Sequence, residues 1–427
     1  MNKGSSPEKS GGRSVAIGLF VLLTLVSGSG AAQEANRSLP NPLRLQDVTR
    51  FARDHRAEIG AARARARAAR ERPAIVSGLE DPMIFPSLDH VPFMFNGVNW
   101  SLTVEQRFPL SRVLGNRRRA AEADFDRARA DVDRARLDVD LDSAAAFLML
   151  EERRQMAQII EEQRALARQF VNAAIGRYAA GTGGHADALR AEMEASRFDG
   201  AVRASAAEVR GAELMLNTSL GREAGAFIPP LESSLVTAPP PSAEAVRRAA
   251  LGERPELRAG NAEIRRAEAE VSVMRSMYAP MAMVRTGAAS TMSDGPGWML
   301  MVGVSVPIWR GRLSAGVAEA NAMVDMARSD VRGMRTMIEG EALSSREQVS
   351  AQRERFLALK NEVVPRAQQT IPPTLAGYAS GQLPLVSVID AAQALWNAQS
   401  ELVSAQFELG LAWARLERAM ASEGRSQ

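Results

Sequence analysis

Methionine thioethers are the most concentrated reactive groups in this sequence. Seven methionines lie between residues 274 and 301, namely Met274, Met277, Met281, Met283, Met292, Met299 and Met301. Thioether sulfur is a soft ligand that suits Cu(I), so one interpretation is a route for copper. The alternative interpretation is that these side chains face lipid or fill gaps in packing.

The other reactive residue types form no catalytic pattern. The chain has no cysteine, which excludes disulfides and thiolate metal sites, and the histidines His55, His90 and His185 are scattered. The sequence contains no phosphate-binding loop, no nucleophile elbow and no H-E-x-x-H motif. We therefore expect no enzyme activity, no cofactor and no resident metal.

The charge balance does not indicate a nucleic-acid partner. The formal net charge is +3, of which residues 1–32 carry +2 and the remainder +1. Arginine-rich stretches at 63–72 and 117–119 are interspersed with other residue types, as solvated helix faces are, and we do not expect them to bind phosphate.

Residues 1–32 are typical of a secretory signal peptide. Basic residues precede an apolar run from 15 to 26, and the small residues Gly30, Ala31 and Ala32 offer a cleavage site. We expect the mature chain to begin near Gln33. A membrane anchor is the alternative, but twelve apolar residues are too few to span a bilayer as a helix.

A short strand that leads directly into a very long helix organises the second half of the chain. Apolar residues alternate along the strand, at Trp298, Leu300, Val302, Val304 and Val306. A heptad seam then follows, at Val324, Ala327, Val331, Met334 and Ile338. A helix over 311–376 would be roughly 100 Å long, which no compact globule accommodates. Pro365 and the pair Pro372-Pro373 should kink or interrupt its last turns.

The same unit occurs earlier in the chain. Trp100, Leu102, Val104 and Phe108 alternate along a strand, and a second seam follows at Phe125, Ala128, Val132, Ala135 and Val139. Landmarks recur at spacings of 198 to 200 residues, and they include Arg56-x-Glu58-Ile59 with Arg254-x-Glu256-Leu257, Pro109 with Pro307, and Tyr178-Ala-Ala-Gly181 with Tyr378-Ala-Ser-Gly381. We infer a tandem duplication, with a first repeat at 33–221, a proline-rich linker at 222–241 and a second repeat at 242–427.

Each repeat has the same predicted order of elements. In the first repeat, a helix capped by Asp47 runs to about Gly78 with a kink at Pro73. Two strands follow, at 83–88 and 98–108, with a turn between them at 89–97. A helix then runs to about Ile175, and a second helix returns at 186–219. In the second, Ser242 caps a helix that ends by Pro280, and the next elements are strands at 281–290 and 298–306, the long helix, and a last helix to about Met420.

Four strands per chain cannot close a barrel, and membrane barrels need at least about eight strands. A homotrimer would supply twelve strands. The alternation along residues 100–108 suits a barrel with lipid outside and water inside. A soluble strand pair that packs on one core face would alternate identically, so the pattern alone leaves both possibilities open.

These residues resemble the outer-membrane efflux protein (TolC) family over essentially the whole mature chain. The resemblance is carried by Arg254-Pro255-Glu256-Leu257, by Val304-Ser-Val-Pro307-Ile-Trp and by the two Tyr-x-x-Gly turns. Asp81-Pro82 and the run Glu105-Gln106-Arg107-Phe108-Pro109 look most like the CzcC-like heavy-metal branch. The resemblance implies a mostly α fold with a small β membrane part, assembled as a homotrimer with a twelve-stranded outer-membrane β-barrel and a long α-helical barrel in the periplasm. It also implies two partners, a periplasmic adaptor protein and an inner-membrane efflux pump of the RND type.

The resemblance also implies site residues. The Tyr-x-x-Gly turns of the family meet the adaptor, which assigns docking to Tyr178, Gly181, Tyr378 and Gly381. The same turns have a structural explanation, since glycine permits a positive φ and tyrosine packs the hairpin. Family ducts narrow at rings of aspartates nine and twelve residues after the tyrosine, which are split here between Asp187 in the first repeat and Asp390 in the second. Asp187 also fits a carboxylate that stabilises the start of a helix.

The resulting prediction is a passive exit duct in the outer membrane that carries metal ions or drugs delivered by a pump. Two alternatives stay open, a periplasmic coiled-coil scaffold and a methionine-based copper-binding protein.

Overall fold

The computed structural model describes residues 39–89, 98–233 and 235–422. The predicted signal peptide and most of the predicted turn at 89–97 lie outside the described residues. The helices are α1 (Leu45–His55), α2 (Ala57–Ser77), α3 (Val113–Ala179), α4 (His185–Ser219), α5 (Ala243–Glu253), α6 (Pro255–Ser276), α7 (Arg310–Ala358), α8 (Val364–Ala379) and α9 (Leu385–Met420). The strands are β1 (Met83–Asp89), β2 (Asn99–Pro109), β3 (Met281–Thr291) and β4 (Gly295–Ser305).

Helix α3 is the longest element that the structure describes. It has 67 residues, so its length is roughly 100 Å at about 1.5 Å per residue. It packs against α2, α4, α6 and α9. Val132 and Val139 of the predicted seam are buried, as the heptad pattern requires. At Gly410, an added Cβ would lie 2.8 Å from Leu148 Cδ2, so the absence of a side chain lets α9 approach α3 closely.

The predicted long helix at 311–376 is interrupted. It consists of α7 and α8 joined by a π-helical turn at Leu359–Val363. Pro365, in the first turn of α8, has no N–H for the carbonyl one turn earlier, and the backbone widens to π geometry just before it. The prediction that Pro372 and Pro373 break the helix was wrong, because α8 continues through both.

The helix predicted from Asp47 to Gly78 is two helices. It begins at Leu45 with Arg44 as its N-cap, so Asp47 lies in the first turn and does not cap it. The break falls at Arg56, which is extended with ψ of 127°, and α2 continues through Pro73. Ser242 does cap α5, since its Oγ accepts from the Ala245 N–H at 3.3 Å.

A matching break at Arg254 separates α5 from α6, and an arginine stabilises each break. Arg56 donates to Glu58 and, at 3.0 Å, to the carbonyl of Ser219 at the end of α4. Arg254 is buried and donates to Glu256 and, at 3.2 Å, to the carbonyl of Ala419 at the end of α9. Each arginine therefore holds the last helix of its half against the point where the chain bends.

The four strands form one antiparallel sheet in the order β1-β2-β3-β4. The central pair joins the two halves of the chain, with Thr103 opposite Gly287 and Glu105 opposite Arg285. Strands β1 and β4 are its edges. None of the helices in the described ranges is long and apolar enough to cross a membrane.

Candidate functional site

Two helical hairpins turn at the Tyr-x-x-Gly sequences, and both turns have the same backbone geometry. In the first, the N–H of Gly181 donates to the Tyr178 carbonyl at 3.0 Å and the N–H of Thr182 to the Arg177 carbonyl at 3.0 Å. In the second, Gly381 donates to the Tyr378 carbonyl at 3.0 Å and Gln382 to the Gly377 carbonyl at 2.8 Å. This pair of bonds is a Schellman motif, which satisfies the last carbonyls of a helix.

Glycine is required at both turns because the backbone is left-handed there. The φ angles are +70° at Gly181 and +80° at Gly381. The space around the two differs, since an added Cβ meets no atom within 4 Å at Gly181 but lies 3.3 Å from Arg177 Nη2 at Gly381.

Arg177 joins the two turns. Its Nη1 donates to the Tyr378 carbonyl at 2.7 Å, and its Nη2 donates to the Thr182 carbonyl at 2.9 Å. Its guanidinium carbon lies 4.7 Å from the centre of the Tyr378 ring, within cation–π range. One side chain of the first hairpin thus binds both its own turn and the second turn.

The two tyrosines occupy different environments. Tyr178 is 50% exposed and lies against the ring of His185, whereas Tyr378 is fully buried. The Tyr378 hydroxyl has no hydrogen-bond partner among the described residues. Burial raises the pKa of Tyr378, and the negative charge of Asp187 raises it further, while Arg177 acts in the opposite direction. Asp187 of the first hairpin is therefore close enough to Tyr378 of the second for its negative charge to affect the ionisation of the tyrosine.

The two predicted aperture aspartates differ in position. Asp187 is half-buried in the first turn of α4, where its backbone N–H donates to the Gly184 carbonyl at 3.1 Å. Asp390 is exposed on α9, one turn further into its helix. No hydrogen bond or ion pair joins the two among the described residues, so within one chain they form no common site.

One face of the sheet is apolar and exposed. Residues directly opposite in an antiparallel pair point to the same side, so the register assigns every strand residue to a face. Trp298 on this apolar face is 86% exposed. The face also carries exposed Ile84, Leu88, Trp100, Leu102, Val104, Phe108, Leu300, Val302 and Val304. Between Trp100 and Phe108 it extends for roughly 27 Å at about 3.4 Å per residue, close to the height of the apolar band of membrane barrels.

The opposite face is polar and organised around a buried carboxylate. Glu105 on β2 accepts from Arg285 Nε at 3.0 Å and from Arg107 Nε at 3.1 Å, and Arg285 Nη2 also donates to it. The Arg285 guanidinium carbon lies 4.8 Å from the centre of the Phe85 ring. Thr103 on the same face is buried as well. Each chain therefore places two arginines and one glutamate here, a net charge of +1 among the three.

The methionines of the sheet lie on this polar face. Met281, Met283, Met299 and Met301 pair with Ser305, Gly303, Gly287 and Arg285, which share a side with Glu105. On β4 the apolar residues Trp298, Leu300 and Val302 alternate with Met299 and Met301 and lie on the opposite face. The described residues include no group of three or more histidine or acidic side chains placed to hold a metal ion.

Known proteins with this architecture were found by comparison of sequence and of structure. Residues 246–422 match the model of a family described as outer membrane efflux protein. This part of the chain is therefore similar to that family. The efflux-protein match covers α5 to α9 and the β3–β4 pair, and thus includes the second hairpin turn and the methionine strands.

The two curated relatives that match are efflux and resistance proteins. BepC of Brucella suis, named an outer membrane efflux protein, is 24% identical over 275 residues, which are 63% of this chain and 60% of BepC. CzcC of Cupriavidus metallidurans, named a cobalt-zinc-cadmium resistance protein, is 25% identical over 264 residues, 61% of each chain. The match thus spans about three fifths of the length of these relatives.

Solved structures share the fold over most of the chain. The outer-membrane channel OprN matches with a TM-score of 0.75 at 17% identity and covers 88% of this chain and 89% of its own. The CusC structure matches with a TM-score of 0.77 at 14% identity, covering 88% of this chain and 91% of its own. The described helices and sheet therefore have the fold of efflux-family channels.

Sequence reasoning missed the roles of three residues that organise these regions. Arg177 belongs to no sequence motif. The only sequence feature that marks it is a difference between the repeats, because the corresponding residue 200 positions later is Gly377. The Glu105–Arg285 pair joins residues 180 apart, and no local pattern predicts that register.

Replacing Arg177 should loosen the second turn. In Arg177→Ala, the Tyr378 and Thr182 carbonyls lose a charged donor, which we expect to cost about 1–3 kcal/mol of local stability. Hydrogen exchange of the amides of Gly381 and Gln382 should accelerate accordingly. Arg190→Ala, an exposed arginine on α4, is the matched control. Equal exchange rates in the two variants would contradict the assigned role.

Proposed function

We propose that this protein is the passive outer-membrane exit duct of a tripartite efflux system. The observation that carries the proposal is the sheet, which has an exposed apolar face, an ion-paired polar face and two open edges, and which is joined to helices of roughly 100 Å. The apolar face fits lipid, the polar face fits a water-filled lumen, and the helices fit a conduit that extends into the periplasm. The family match over residues 246–422 and the channel-like fold support the same conclusion.

The duct is a homotrimer with a twelve-stranded barrel. In lipid each unpaired backbone N–H or C=O costs several kcal/mol, so the open edges of β1 and β4 need partners. Pairing β4 of one protomer with β1 of the next closes the cylinder and leaves no edge. The long helices then line up side by side below it, and their heptad seams pack in the manner of a coiled coil.

The barrel proposal predicts that an added charge destabilises the protein on the apolar face of the sheet but is tolerated on the polar face. We expect Leu300→Arg, on the apolar face of β4, to cost about 2–4 kcal/mol in the membrane and to reduce the amount of trimer. Ser305→Arg, on the polar face of the same strand, is the matched control and should assemble normally. Carbonate-resistant membrane fractions and the mass of the detergent-extracted particle give the readout. A wild-type protein that washes off with carbonate would indicate the periplasmic scaffold instead.

The Tyr-x-x-Gly turns are the surface that meets the periplasmic adaptor, and through it an inner-membrane pump of the RND type. Three chains would present six turns at the tip of the helical barrel. Exposed Tyr178 and the open space around Gly181 leave the first turn accessible, which supports its role in docking. Tyr378 and Gly381 would contribute by shaping the second turn beside it.

Substitution at the turns should uncouple efflux from assembly. In Gly181→Leu and Gly381→Leu the left-handed backbone costs about 1–2 kcal/mol, which we expect to distort the turns without dissolving the helices. The minimum inhibitory concentration in the native host, which carries adaptor and pump, should fall to that of the deletion strain while trimers persist. Gly115→Leu, also in open space but near the sheet, is the control. Normal resistance in both turn variants would count against docking.

Asp390 forms the aperture of the duct. Its exposure on α9 is consistent with three carboxylates facing the threefold axis, an arrangement that would attract and filter cations. Asp187 belongs to the same narrow region but also stabilises the start of α4 through the helix dipole.

Divalent cations should block single channels through Asp390. In Asp390→Asn we expect the blocking concentration to rise by about tenfold, which corresponds to roughly 1.4 kcal/mol of lost binding, because the ring loses its charges. Asp187→Asn should have a smaller effect. Planar-bilayer recordings with added divalent salt provide the measurement. Unchanged block in Asp390→Asn would contradict the proposal that Asp390 filters cations.

A further inference from the structure

We propose that the polar face of β3 and β4 binds soft monovalent metal cations, Cu(I) and its analogue Ag(I), through methionine thioethers. The proposal rests on the proposed function, because it requires this face to line the lumen. It adds a ligand class for the duct and a site for it.

The register places four methionines in one contiguous group. Met281 and Met283 are two residues apart on β3, and Met299 and Met301 are two residues apart on β4, at spacings of about 6.7 Å. Met283 lies opposite Gly303, so Met301 is its diagonal neighbour across the strand pair, at about 7–8 Å between Cα atoms. The order Met281, Met283, Met301, Met299 is therefore a path in which each thioether has another within reach of its flexible side chain.

Gly303 leaves room for one of these side chains between the strands. It lies opposite Met283, and an added Cβ there would lie 2.9 Å from the Met283 methyl carbon. Gly287 lies opposite Met299, but its missing side chain makes room for the backbone of β2 at Leu102 and Thr103. The Met283 thioether can therefore lean across toward β4, where Met301 is its diagonal neighbour.

Packing explains only part of the methionine pattern. The apolar face of the same strands carries tryptophan, leucine, valine and alanine, and none of its residues in β1 to β4 is a methionine. On the polar face Met283 and Met299 are half-buried, but Met281 and Met301 are 37% and 44% exposed and gain little from packing. Met83 on β1 shares this face, opposite Glu105. The segregation of five methionines to the polar face therefore points to ligand binding.

The charges around the group disfavour a divalent ion more than a monovalent one. Arg285 lies opposite Met301, and with Arg107 and Glu105 it gives this face a net charge of +1, whose repulsion of a cation grows with the charge of the ion. The carboxylate of Glu105 is already occupied by two arginines, so it offers no free hard ligand for Zn²⁺ or Co²⁺. Neutral thioethers are soft ligands that bind Cu(I), and without a thiolate they hold it weakly enough to release it along a duct.

Titration of the purified full-length trimer with Ag(I) in chloride-free detergent buffer tests the site. We expect saturable binding to the wild type, and about tenfold weaker binding in the double variant Met283→Leu/Met301→Leu, because leucine keeps the volume but removes sulfur. Met323→Leu/Met326→Leu, on exposed positions of α7, is the control and should bind as the wild type does. Zn²⁺ should not compete.

The outcomes separate this proposal from the duct itself. Wild-type trimers that conduct in planar bilayers but bind no Ag(I) overturn the methionine site and leave the duct intact, as does unweakened binding by Met283→Leu/Met301→Leu. An equal loss in the α7 control variant also overturns it. Wild-type protein that forms neither trimers nor channels would refute the proposed function, whatever its affinity for Ag(I).

Discussion

Unsatisfied backbone at the edges of β1 and β4 is the constraint from which the rest of this structure follows. Every strand inside the sheet has its N–H and C=O groups paired, but the outer edges of the described sheet do not. An exposed edge beside an apolar face is unstable in water, where it pairs with other chains, and unstable in lipid, where no solvent satisfies it. In the proposed trimer, closure with identical chains would solve both problems at once and would make assembly a condition for a stable sheet.

The buried ion pairs give the sheet and the helices a defined register. Glu105 and Arg285 join β2 of the first half to β3 of the second, so the two halves meet at a charged contact inside the sheet. Arg56 and Arg254 act similarly among the helices, each binding the carbonyl at the end of its own half. Removing one partner of such a pair leaves the other charge uncompensated, whereas the intact pair contributes mainly specificity. These residues fix where the elements lie, while the apolar seams hold them together.

The elements could be predicted from the sequence because their signals are local. Alternation along 298–306 and the heptads after Val324 identify strands and helices without any long-range information. The same alternation assigns Met299 and Met301 to the face opposite Trp298 and Leu300. Arg177 and the helix breaks could not be predicted, since each depends on a carbonyl far away in the chain. The buried state of Tyr378 has the same origin.

The two hairpin turns of each chain are unequal, so the tip of the proposed duct would be asymmetric within each chain. Both turns share the Schellman geometry, yet one presents Tyr178 to solvent and the other buries Tyr378 under Arg177. In the proposed trimer the six turns would alternate between two kinds, one open and one held by an arginine. The two aspartates also differ. Asp187 is half-buried and its charge raises the pKa of Tyr378, whereas Asp390 is exposed. A protein that docks there, as proposed, would meet three repeats of a two-part surface, with the buried Tyr378 hydroxyl, which has no partner among the described residues, between the two parts.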